Sequence, residues 1–144
     1  MTTLAAHPHP ADSEPGAYLA TEELLVDARS YIEREHLVLA AIPLWLSALR
    51  QFRKSEIRRG IPEGGDELTA YSAILANLYA VGATIVVIVA QDGESIHDGL
   101  PTVGVTLEKL RAIIAGVRRD LDLALAPPLD AATHGELHRL FAAA

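Results

Sequence analysis

Ala70 to Ala90 is a run of 21 residues without a single formal charge, and it limits the possible folds more than any other feature. About 20 consecutive apolar residues can cross a bilayer, or can form a helix at the centre of a bundle, apolar all round because it is packed on several sides. Ser72, Asn77, Thr84 and two tyrosines dilute the run, which favours the buried helix. It opens at Asp66, a cap after the Pro62-Glu63-Gly64-Gly65 breaker. It then carries Leu68, Tyr71, Leu75, Leu78, Gly82, Ile85 and Val89 at three- and four-residue spacing, and ends near Asp92-Gly93. Thr84 to Val89 has strong strand propensity and is followed by a turn-forming Asp-Gly. A hairpin with a partner around 96–106 is therefore the competing local structure, and the helical period over the longer window outweighs it.

Upstream, Thr21 is a good N-cap, with Glu22 and Glu23 placed to complement the helix dipole. Leu24, Ala28, Tyr31, Val38, Ile42, Trp45, Leu49 and Phe52 follow in a three-four alternation, with Leu25, Ile32, Leu39 and Leu46 beside them. One helix to about Arg59 is expected, kinked near Pro43 and stopped by Gly60 and Pro62. A solvated loop is expected over Asp92 to Pro101. After it Val103, Leu107, Leu110, Ile114, Val117 and Leu121 predict a third helix, ended by Pro127-Pro128. Asp130 then caps a short terminal helix with Leu137, Leu140 and Phe141 on its apolar side. The short connections favour antiparallel neighbours. The expected fold is all-α: an up-and-down helical bundle of three long helices plus a short C-terminal helix. Residues 17–144 form its single domain, after a flexible arm at 1–16 that contains His7-Pro8-His9-Pro10.

A chain of 144 residues, half of them hydrophobic, is long enough for a real core and excludes wholesale disorder. Twelve Lys plus Arg against nineteen Asp plus Glu give a net charge of −7, which argues against a general polyanion binder. The absence of cysteine removes disulfide scaffolds, thiol nucleophiles and Cys-ligated metals together. The first residues lack a signal-peptide pattern, so the expected setting is the cytoplasm or a soluble assembly.

Metal binding is the sharpest chemical candidate. His134 and His138 are four apart on a predicted helix, a spacing that one ion can bridge, and His36 could add a third nitrogen from the first helix. An early His joined by a late His-x-x-x-His pair resembles the metal site of the DinB/YfiT-like four-helix bundles. The resemblance covers these three residues and the helical content, and it implies a divalent transition metal. Glu35 falls inside the apolar stripe beside Tyr31, Val38 and Leu39, where a carboxylate needs a partner, a metal or a raised pKa. Glu33-x-x-His36 and Glu94-x-x-His97 match the Glu-x-x-His spacing of di-iron carboxylate bundles. That site also needs a carboxylate from each of two further helices, whereas Glu94 to His97 falls in the expected loop. For each histidine the plainer account is a solvated or interface ring at the margin of the stripe.

Arg50, Arg53, Lys54, Arg58 and Arg59 place five of the twelve cations within ten residues, a possible phosphate contact for a nucleic-acid accessory subunit. The same helix begins with Glu22, Glu23 and Asp27, so cations at its end also simply complement its dipole. Asn77 is a polar group that could fix the packing register of the apolar helix. No phosphate-binding loop, dinucleotide fingerprint, nucleophile elbow or His-Glu-x-x-His is present. The sequence therefore points to a non-enzymatic assembly or adaptor subunit without cofactor. It would make protein–protein contacts in a homo-oligomer or larger complex, with no nucleic acid or membrane span favoured; a metal-binding bundle is the alternative.

Overall fold

The computed structural model describes residues 18–34, 37–59, 62, 65–91 and 94–125, with the side chains of 56–59, 94, 95 and 97 outside the description. Every regular element among the described residues is helical. In chain order these are α1 (Leu19–Ile32), α2 (Val38–Arg59), α3 (Gly65–Gln91), the short α4 (Glu94–Gly99) with a 3-10 turn at Leu100–Val103, and α5 (Leu107–Leu125). The all-α expectation holds, and Thr84 to Val89 is helix rather than strand. The expected C-terminal helix and the 1–16 arm lie outside the described residues.

The apolar row that predicts one helix from Thr21 to Arg59 is divided between two, and this corrects the expected count of long helices. The chain turns after Ile32, where Glu33 N–H donates to Arg29 O (3.0 Å), Arg34 N–H to Tyr31 O (3.1 Å) and Leu37 N–H to Arg34 O (2.9 Å). A continuous helix of that length would extend about 60 Å and carry half of its stripe beyond any partner. Folding back instead packs α1 heavily on α2, so that Leu25 and Ala28 are fully buried with Val38, Ile42, Trp45 and Phe52. Each such large aliphatic side chain contributes about 1.5–3 kcal/mol. Pro43 lies inside α2 on its solvent-facing side.

The start of α1 also differs from the expected Thr21 cap. Helix begins at Leu19, and Tyr18 at the cap makes no side-chain capping bond. Tyr18 is buried, its ring 5.4 Å from that of Phe52, and Phe52 is 5.4 Å from Tyr71 on its other side. Aromatic packing of this kind outweighs a cap bond of about 1 kcal/mol. Thr21 is drawn inside the first turn, fully buried, with no hydrogen-bond partner for Oγ1 among the described residues.

Trp45 is the centre of the packing. Its ring is fully buried, and its indole N–H donates to the carbonyl of Leu78 on α3 at 2.9 Å. One turn further along, Gly82 lets α3 approach both neighbours. A Cβ there would overlap Ile114 Cδ1 on α5 and the ring of Trp45 on α2. Downstream, the segment expected as a solvated loop is helical because Ile96 and Leu100, four apart, both enter the core. Gly104 leaves the 3-10 turn with φ +76°, a conformation suited to glycine. α5 then starts at Leu107, after Val103, and the Thr106 hydroxyl accepts the Lys109 N–H at 3.1 Å.

Candidate functional site

The histidine constellation lies where the structure gives no placement: Glu35, His36, His134 and His138 are outside the described residues. Among the described residues, no three His, Asp or Glu groups come together as a metal site. Glu33 is exposed on the turn after α1, and Glu94 and His97 share the short α4, their side chains outside the description.

The basic segment is less uniform than its sequence. Arg50 is exposed and donates to Ser47 Oγ at 3.1 Å, and Lys54 is exposed. Arg58 and Arg59 belong to the end of α2, their side chains outside the description. Arg53 turns inward, half-buried, toward Asp120 of α5. Of the three cations whose side chains are described, two face solvent.

Asp120 is the acid that sequence inspection misses. It is only 6% exposed. Burial pushes its carboxyl up to about 6, against the opposing pull of Arg53 and then Arg119. Burial also lowers Arg53, while Asp120 raises it. Neither Asp120 Oδ1 nor Arg53 Nε has a hydrogen-bond partner among the described residues, so attraction between the charges does not fully offset desolvation. The sequence signal is its position: Val117, Asp120 and Ala124 form one helical row, and all three are buried. Chemically the pair can hold a proton near neutral pH, but it is packed in the bundle.

The feature that stands open to solvent is the outer side of α3. Its inner side supplies Tyr71, Leu75, Leu78, Val81, Gly82, Ile85 and Val89 to the core. Its outer side presents Ala73, Ala76, Ala80, Thr84, Val87 and Ala90, all exposed and none charged. Val87 is 50% exposed. The uncharged run is thus packed on one side, with 39% of its most apolar window buried, rather than on all sides.

Two grooves border this stripe. On the α1 side, Glu22, Arg29 and Glu33 lie alongside Ala73, Ala80 and Thr84. Arg29 Nη2 donates to Asn77 Oδ1 there, which gives the half-buried amide a partner and ties α1 to α3. On the α5 side, Arg111 and Arg118 flank Tyr79, Ala83 and Val87. The Arg118 guanidinium stands 5.9 Å from the centre of the Tyr79 ring. An apolar strip with a charged rim has the anatomy of a protein-contact surface. No protein-family model, curated protein or solved structure matched the chain in the comparisons made.

Proposed function

We propose that the protein is a non-enzymatic helical assembly or adaptor subunit, working through protein–protein contacts made by the outer side of α3 on an up-and-down bundle. The bundle reading rests on paired contacts. Phe52 lies against Tyr71 and Trp45 against Gly82, so residue numbers fall along α2 as they rise along α3. Tyr79 meets Arg118 and Gly82 meets Ile114, which gives α5 the same relation to α3.

One observation carries the functional reading: the exposed side of α3 is chargeless from Ala73 to Ala90. Solvated helix faces normally carry charge, and α1 and α5, which border the strip, follow the rule. α1 exposes Glu22, Glu23, Asp27 and Arg29, and α5 exposes Glu108, Lys109, Arg111, Arg118, Arg119 and Asp122. A helix with mean hydropathy 2.3 over its apolar window gains by covering that side.

The test is the native mass of the tagged protein in a gentle lysate. A particle well above 15.4 kDa, returned to the mass of one chain by Ala76→Glu with Ala80→Glu, supports the assembly reading. A lone 15.4 kDa chain, or recovery in the membrane fraction, overturns it.

A further inference from the structure

We infer that the partner on the outer side of α3 is a second copy of this chain, related by a two-fold axis running along α3. This rests on the assembly reading above and specifies its partner. The first support is charge. The α1 edge of the strip brings forward Glu22 and Glu33, and the α5 edge brings forward Arg111 and Arg118, the latter also 4.0 Å from its own exposed Asp122. Arg29, also on the α1 edge, is held by Asn77. A two-fold axis along the helix lays the α1 edge of each copy over the α5 edge of the other, so the acid–arginine match is made twice.

The levels along α3 agree with this. Glu33 lies beside Ala80 and Thr84. Arg118 lies at Tyr79, and Arg111 lines the groove that contains Val86 and Val87. Glu33 of one copy therefore comes level with the interval between the two arginines of the other.

The second support is shape and extent. Ala73, Ala76, Ala80, Thr84 and Val87 recur every three or four residues, so two identical helices can approach along matching rows of small side chains, at about 8 Å between axes. α3 has 27 residues, about 40 Å of length. With half of each flanking helix the strip is about 20 Å wide. That offers about 800 Å² per copy, the size of a standard specific interface.

The experiment is sedimentation equilibrium of the purified full chain at about 50 µM, a concentration at which a micromolar dimer is populated, with phosphatidylcholine–phosphatidylglycerol vesicles as a separate arm. The expected result is twice the 15.4 kDa chain mass. Ala80→Glu should give the single-chain mass while keeping helical circular dichroism and a cooperative melt. Glu33→Arg should weaken dimerisation at least about tenfold, and adding Arg111→Glu should restore most of the loss.

A single-chain mass for the unaltered protein overturns the inference. The assembly reading survives that result if the lysate particle is heavy. A dimer indifferent to Ala80→Glu places the contact elsewhere and overturns it. A dimer that Ala80→Glu breaks, but to which both charge reversals are neutral, overturns the two-fold pairing along α3. Binding to vesicles that Ala80→Glu abolishes overturns the inference and the assembly reading together.

Discussion

α3 and α5 lie side by side on the same core and treat solvent in opposite ways. α5 has 19 residues, a narrow buried row of Leu110, Val117, Asp120 and Ala124, and an outer side crowded with both signs of charge. α3 has 27 residues and a longer buried row, and its outer side holds alanine, threonine and valine between Ala73 and Ala90. Hydropathy alone therefore ranks α3 as the more buried helix, yet about a third of its circumference is open. An amphipathic helix announces its own orientation. A uniformly apolar one reports only that it avoids charge, and its neighbours decide which side is covered. Among the described residues, the outer side of α3 is thus the place where apolar surface is left without a screen of charge.

The comparison is broken most severely at the point where the two helices touch. Gly82→Val forces a side chain into Ile114 and Trp45 and should cost about 3 kcal/mol. Gly116 on α5 has nothing within 4 Å of an added Cβ, and Gly116→Ala should gain about 0.5–1 kcal/mol from helix propensity. Urea melts of both variants measure the contrast. Equal effects would remove Gly82 as the close-approach point.

The next effect is pH-dependent and belongs to α5. Burial pushes the Asp120 carboxyl up to about 6 in the folded chain, from its ordinary 3.8. Below pH 3.8 the group is neutral folded or unfolded and costs nothing. As pH rises from there to about 6, the unfolded chain gives up the proton first and stability falls; above that range the penalty is complete. Asp120→Asn should therefore stabilise by about 1–3 kcal/mol at pH 7.5 and have little effect at pH 3.5. Melting temperature against pH for the two proteins checks this, and a gain that persists at pH 3.5 would contradict it.

The smallest effect sharpens the α3 side. Asn77→Ala removes the acceptor for Arg29 and should cost about 1 kcal/mol, and the Arg29→Ala, Asn77→Ala double variant should lose little more than either alone. Additive losses in a double-mutant cycle would show that the two side chains do not support each other.

Much of the fold was legible from spacing. The extent of α3, the apolar rows of α2 and α5, and the helical state of Thr84 to Val89 follow from three- and four-residue periodicity over long windows. Local rules failed at Thr21, where Tyr18 packing starts the helix early, and at 94–101, where Ile96 and Leu100 draw the segment into the core. The outer side of α3 was half legible. Its lack of charge is in the sequence, and the periodic row from Tyr71 to Val89 is the side that is buried, but the expectation of packing on several sides hid the open face. Arg53 reads in the sequence as one of five clustered cations, whereas in the fold its neighbour is Asp120, 67 positions later. The histidine and Glu35 readings lie outside the described residues and stand as expectations.

The sequence by itself determined that the long apolar-periodic segments are helical and which of their rows seek burial, because the period of the apolar residues acts within one turn or two. Only the tertiary structure decided that α1 and α2 part at Glu33 rather than continue together. It also decided that Gly82 is the point of closest approach and that α3 keeps one chargeless side outside. The physical reason is range. Helical period is a local property of neighbouring residues. A partner for an apolar face comes from segments tens of residues away, and which face it covers is settled by packing free energy that no local pattern contains.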